Sequence, residues 1–255
     1  MSKKSLLSVL AIISLSGLVS CGGGAKYSKL QGSTMGTYYS ITYGEGDSCS
    51  PQKKAVDNLL AHINSVMSTY EPDSELSLIN QNLQAGEYAI SQELHLVLGA
   101  SLTVWQETRG AFDVTIGPLV NLWGFGPTNA EETPTEFEQE AVAERIGMEN
   151  LELASNSIVK KQPNLFIDLS AIAKGYAVDR VAEKLSSLGC KDYLVDIGGE
   201  SFAKGQNRAG TPWKIGIEVP SPERRGIQRV LALSDLAIAT SGDYRNFRET
   251  AVGRV

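Results

Sequence analysis

The stretch that most limits what this chain can become is Leu165 to Asp179, LFIDLSAIAKGYAVD. It reads as a short apolar strand, Leu165 to Leu169, running straight into a helix over residues 171–188. Ala173, Tyr176, Ala177, Val181 and Leu185 fall on one side of that helix, and Gly189 follows it. A carboxylate, Asp168, therefore stands where a strand gives way to a helix near Ser170. Free N–H groups at a helix N-terminus, with the dipole behind them, favour anions such as phosphate. Lys174 sits one turn in with a movable positive charge. A serine N-cap would account for Ser170 alone, but not for Asp168, Lys174 and Gly175 crowded around it.

The rest of the chain places this junction in an α+β fold. Gly36 to Tyr43 is rich in Thr and Tyr and reads as a strand. Ser50 and Pro51 read as N-cap and first residue of a helix over 51–67, with Val56, Leu59, Leu60, Ile63 and Met67 at helical spacing. Ser91 opens a second helix that Gly110 closes. Thr133 to Glu136 fits a capping box for a third, to about Ile146. Tyr193–Ile197, Trp213–Val219, Gln228–Leu233 and Leu236–Thr240 read as strands. Strands that follow helices without βαβ alternation argue against a doubly wound sheet.

The N-terminus speaks to compartment. Lys3 and Lys4 precede an apolar run, Leu6 to Val19, too short to span a bilayer comfortably. This fits a secretory signal over residues 1–20. Leu18-Val19-Ser20-Cys21 resembles a lipobox, which predicts lipidation of Cys21, a tether over 21–31, and a folded domain over 32–255. The expected location is exported and lipid-anchored to the membrane, facing the periplasm or the cell exterior. Cys49 and Cys190 could pair in such a compartment; their settings in a loop and at a helix end instead suggest two free thiols. The formal charge of −6 becomes about −8 once Lys3 and Lys4 are removed. Such a surface does not favour nucleic acid. A polyanionic small ligand would need a metal ion or backbone N–H groups to hold it.

Several chemistries lack their motifs. There is no GxGxxG after a strand, no P-loop, no GxSxG and no zinc spacing. His62 and His95 fall inside predicted helices and read as structural. Three further stretches remain. GSTMGT (32–37) lets the backbone turn tightly and presents Met35, whose thioether packs well on flat rings. STYEPDSEL (68–76), with Asn80 beyond, puts Tyr70 at a helix junction, suited to stacking or to core packing. Ala111-Phe112-Asp113, inside GAFDVTIGPL, sets a carboxylate beside an aromatic ring, either for a base or ribose or as an Asx-type turn. DIGGE (196–200) and TSGDYRNF (240–247) each place polar residues after a strand.

Taken in order, GSTMGTYY, STYEPDSELSLIN, GAFDVTIGPLVNLWGFG, FIDLSAIAKGYAVD, YLVDIGGE, WKIGIEVP and ATSGDYRNF resemble the ApbE-type FAD:protein FMN transferases over about residues 32–247. The resemblance implies a T-fold-like mixed sheet with packed helices. It implies FAD as substrate, Mg²⁺ as cofactor, and transfer of FMN to a threonine hydroxyl of an acceptor protein, with release of AMP. Typical acceptors would be subunits of exported redox pumps and similar flavoproteins. Met35, Tyr70, Ala111, Phe112, Asp113, Asp168 and Lys174 match the family's FAD contacts, and the Ala171 carbonyl matches one Mg²⁺ ligand. The family continues past SGDYRNF with a His-Ile-Asp-Pro segment and later metal ligands. This chain instead ends in RETAVGRV, so the expectation is a domain truncated at its C-terminus, either a transferase or a catalytically impaired FAD-binding lipoprotein.

Overall fold

A computed structural model describes residues 26–46, 49–127, 132–221, 224, 226–242, 247–250 and 253–254. The expected signal segment and Cys21 lie outside the described residues. The first strand, β1 (Tyr27–Thr34), pairs antiparallel with β2 (Thr37–Gly44) through a two-residue turn. Met35 (φ 49°) and Gly36 (φ 68°) both take positive φ, the geometry of tight hairpins whose twist matches their strands. The run expected to be a tether thus ends early: Tyr27 to Gln31 belong to the sheet, because the turn brings polar YSKLQ into register with the aromatic TYYSITY. Tyr39, Ile41 and Tyr43 alternate into the core along β2.

Helix α1 (Lys53–Met67) buries Val56, Leu60, Ile63, Val66 and Met67. It starts two residues later than the Ser50-Pro51 signal suggested, after an extended Gln52 that makes no side-chain cap. The reason lies just upstream. Cys49 is disulfide-bonded to Cys190 with a Cα–Cα distance of 4.6 Å, and both are buried. The two cysteines are therefore not free thiols: the approach to α1 is fastened to the chain leaving α6, 141 residues away.

Next come α2 (Glu75–Gln81), β3 (Gly86–Ala89) and α3 (Gln92–Glu107), the last capped by Ser91 as expected, its hydroxyl accepting the Leu94 N–H. A short α4 (Gly117–Leu122) leads to α5 (Glu136–Ala143). The capping box of α5 is formed by Thr135 and Glu138, two residues along from the Thr133–Glu136 pair; this register turns Val142 inward. Strands β4 (Leu151–Leu153) and β5 (Ser157–Lys160) complete a small antiparallel sheet, β3-β5-β4. Lys160 is fully buried there and donates to the Asn82 and Ile79 carbonyls at 2.6 and 3.4 Å, closing the C-terminal end of α2. Burial pushes its pKa down.

Helix α6 (Ala173–Ser187) packs Ala177, Val178, Val181, Ala182 and Leu185 onto the main sheet. That sheet is completed by β6 (Tyr193–Ile197), β7 (Glu200–Lys204) and, beyond the hairpin β8 (Trp213–Glu218) and β9 (Ile227–Leu233), by β10 (Leu236–Ile238). Its order is β1-β2-β6-β7-β10, antiparallel throughout. A last ladder joins Glu249–Thr250 to Gly253–Arg254. One core fills the space between the sheet and helices α1, α3 and α6, with a smaller cluster around Trp213. The α+β reading stands, as do β6 and, within two residues, β8 to β10.

Candidate functional site

Leu165 to Leu169 joins no sheet among the described residues. The expected strand is a strap held by a side chain in place of a neighbouring strand. Asn80, buried in α2, donates from Nδ2 to the Ile167 carbonyl at 2.8 Å and accepts the Ile167 N–H at 2.9 Å. On the next residue, the Asp168 N–H donates to the Val114 carbonyl at 2.7 Å. Leu165, Ile167 and Leu169 go into the core, so Asp168 is presented at a fixed height.

The strap does not run straight into the helix either. Asp168 Oδ1 accepts both the N–H and the hydroxyl of Ser170, at 2.8 and 2.5 Å, which holds Ser170 and Ala171 in a turn. Helix α6 begins only at Ala173, behind Ile172, with no side-chain cap. Ser170 is thus claimed by the carboxylate and is not an N-cap. Four groups come out of this turn without hydrogen bonds among the described residues: Asp168 Oδ2, the Ala171 carbonyl, and the Lys174 and Gly175 amides of the first turn of α6. Such amides are the orphan donors of any helix start.

Asp168, Ala171 and Lys174 line a cavity of about 950 Å³. Met35, Tyr70, Ala111, Phe112, Asp113, Asp168, Ala171 and Lys174 all line it, so the structure gathers every one of the ligand positions singled out within the described residues. Asn64, Met67, Glu71, Ile116, Val120 and Phe125 line it too. Tyr70 is 61% exposed and donates its hydroxyl to the Phe125 carbonyl at 2.8 Å, so it stands over the cavity and is not a core residue. Burial of the phenol, and then the charge of Asp168, push its pKa up. The ring stays neutral.

Two expected roles are corrected. Asp113 Oδ1 accepts the N–H and hydroxyl of Thr115 at 2.7 and 2.6 Å, and Oδ2 accepts the Met148 N–H at 3.3 Å. Oδ1 thus makes an Asx-type turn while Oδ2 holds a distant backbone N–H, so both oxygens of Asp113 are already engaged in shaping the cavity wall. Lys174 is not a freely moving charge: Nζ lies 2.5 Å from Glu200 Oε1. Glu200 was not foreseen, although DIGGE was. Gly198 and Gly199 turn at φ 58° and 95°, and the Gly198 N–H donates to Tyr38 at 3.0 Å, which docks this hairpin beside the Met35-Gly36 turn. A Cβ on Gly198 would lie 2.7 Å from the Thr37 methyl. His62 and His95 are structural, bonded to Glu93 and to the Ala154 carbonyl.

Among the described residues no group of three or more His, Cys, Asp or Glu side chains is arranged for a metal ion. The available donors are hard oxygens, one carboxylate oxygen and one carbonyl. That set fits Mg²⁺, which usually keeps several waters and binds one or two carboxylates together with substrate phosphates.

The ApbE family model matches residues 35–255. The FAD:protein FMN transferase of Vibrio cholerae is 45% identical over 246 residues, which cover 94% of this chain and 73% of that one. That of Haemophilus influenzae is 40% identical over 260 residues, covering 97% and 75%. Among solved structures, the flavin transferase ApbE from Vibrio cholerae superposes with a TM-score of 0.81 over 87% of this chain and 73% of its own, at 45% identity. The apbe protein from Thermotoga maritima gives 0.80 over 90% and 74%, at 28% identity.

Proposed function

This chain belongs to the ApbE family of flavin transferases, and we propose that its large cavity holds FAD with Mg²⁺ and passes FMN to a threonine hydroxyl of an acceptor protein, releasing AMP. The observation that carries this reading is the cluster of unpaired polar groups at one end of the cavity. The volume is at the upper end of the roughly 300–1,000 Å³ usual for small-molecule pockets, enough for a dinucleotide. Tyr70, Phe125 and Met35 supply flat or adaptable apolar surface for its rings. The Lys174 and Gly175 amides, aided by the α6 dipole, suit the diphosphate. Asp168 Oδ2 and the Ala171 carbonyl would hold the cation. When bound, Mg²⁺ would neutralise charge spread over the diphosphate oxygens. Because Glu200 neutralises Lys174, the positive field comes mainly from these amides and the cation. The acceptor oxygen would bond to the phosphorus of the FMN half, the P–O bond to the AMP half would break with the bridging oxygen leaving on AMP, and the hydroxyl proton would pass to solvent. What the chain contributes to that exchange is mostly positioning and charge complementarity.

The chain is further read as exported and anchored through Cys21. The Lys3-Lys4 and Leu6–Val19 pattern supports this, as does the Cys49–Cys190 bond, since disulfides persist in oxidising compartments.

The test is an FAD fluorescence titration with and without Mg²⁺, followed by incubation with an acceptor protein. Asp168→Ala should weaken FAD binding at least about tenfold, the loss of one charge-assisted contact to a bound cation. Covalent, fluorescent flavin on the acceptor is the expected product. Unchanged FAD affinity in Asp168→Ala would show the site misplaced. Binding without transfer would favour an FAD-holding lipoprotein.

A further inference from the structure

A second cavity, of about 320 Å³, lies between the end of β1 and the outer face of α1. Ser33 and Thr34 form one wall; Lys53, Asp57, Ala61 and Asn64, at helical spacing, form the other. Asn64 also lines the large cavity, and Thr34 is followed at once by Met35, so the two spaces share a boundary.

Three features mark this groove as built for a ligand. Thr34 is 8% exposed, and its Oγ1 is buried with no hydrogen-bond partner among the described residues. A hydroxyl left in that state weakens a fold unless something arrives to pair with it. The groove's charges are already balanced. Lys53 Nζ lies 2.9 and 2.7 Å from the two Asp57 oxygens, and Asp57 Oδ1 also accepts the Tyr39 hydroxyl at 2.5 Å. A small ion would meet no uncompensated charge there, whereas a neutral chain rich in N–H, C=O and hydroxyl groups would meet hydroxyls and an amide. Finally, β1 is an edge strand, paired with β2 on one side only among the described residues.

We propose that this groove receives an extended segment of the acceptor protein, which adds alongside β1 and leads its accepting residue past Asn64 into the large cavity. The inference rests on the transferase reading, which requires a protein acceptor. A folded acceptor does not fit inside 950 Å³, so only a segment of its chain can reach the bound dinucleotide. Pairing with an exposed edge gives such a segment affinity through its backbone, and flanking pockets read its side chains.

The probe is a fluorophore-labelled, flavin-free acceptor protein of the Vibrio cholerae transferase, added to the FAD-loaded full chain and followed by anisotropy. Ala61→Trp, on the exposed face of α1, should fill the groove and weaken acceptor binding at least about tenfold, with FAD affinity within about twofold of wild type. Thr34→Val should weaken it about three- to tenfold while melting no lower than wild type, since the hydroxyl it removes has no partner in the free protein. Backbone amides of residues 29–34 should exchange more slowly when acceptor is present. Acceptor binding that ignores both substitutions, an FAD-loaded chain that binds no acceptor, or unchanged exchange along β1 would overturn the groove while leaving FAD binding intact. Failure of the wild-type chain to bind FAD would instead remove the transferase reading and the groove with it.

Discussion

Replacing Asn80 with alanine should cost the fold roughly 2–5 kcal/mol and loosen the strap that carries Asp168. Asn80 is 5% exposed, and its two bonds to Ile167, at 2.8 and 2.9 Å, satisfy both backbone groups of a residue that is fully buried. A typical bond contributes about 0.5–1.5 kcal/mol net, but each buried group left unpaired costs about 1–3 kcal/mol. Two orphaned groups therefore dominate the sum. In a chain of this size 1 kcal/mol moves the melting temperature by about 2–4 °C, so a fall of roughly 4–20 °C is expected. Loss of stability alone would leave FAD affinity unchanged at temperatures where the variant is folded. Loss of position would not: affinity in the presence of Mg²⁺ should fall at least about tenfold, one contact's worth at 1.4 kcal/mol per decade. Asn80→Asp separates the two effects further. At neutral pH it keeps the acceptor for the Ile167 N–H but not the donor for the carbonyl, and protonation at acid pH restores the donor. Its deficit should shrink as pH falls. A melt within about 2 °C of wild type and unaltered FAD binding would refute the strap argument.

Reducing the Cys49–Cys190 bond, which closes a separation of 141 residues, should lower stability by roughly 2–5 kcal/mol; calorimetry with and without reductant checks it, and an unchanged melt would exclude a role in holding α1 to α6. Burial pushes the phenols of Tyr176 and Tyr193 up from their ordinary value of 10.0, with the Glu93 carboxylate adding to the effect at Tyr176. A pKa raised in the folded state gives stability that is complete below pH 10.0 and lost as pH climbs through the folded value. Phenolate absorbance from these two rings should therefore appear together with alkaline unfolding, and titration near pH 10.0 in an intact fold would contradict the reading. In Gly117→Ala the new Cβ would stand 2.3 Å from the Phe166 ring, an overpacking expected to cost about 1–3 kcal/mol that Phe166→Ala in the same chain should largely relieve.

What sequence made legible was short-range. Helical spacing and a serine cap suffice for α3, because Ser91 and Leu94 sit three residues apart. Leu165 to Leu169 looked like a strand because five apolar-rich residues before a helix usually are one, yet what holds it is the Asn80 side-chain amide, 87 residues from Ile167, and the Val114 carbonyl, and no local period encodes that. The same limit explains Cys49 and Cys190, whose pairing is a property of where α1 and α6 pack. It also explains Lys160: beside the exposed Lys161 it is an ordinary basic pair, and only strand alternation in β5 decides which of the two turns inward. At the site, the resemblance placed the residues and the fold decided their duties. Asp113 and Asp168 both follow an aromatic or apolar run, and both make an Asx-type turn with the hydroxyl residue two positions on. The difference lies in their second oxygens. Met148 reaches that of Asp113, while nothing described reaches that of Asp168. One carboxylate therefore ends as structure and the other stays available for a cation, a distinction set by a backbone N–H from 35 residues away rather than by either motif.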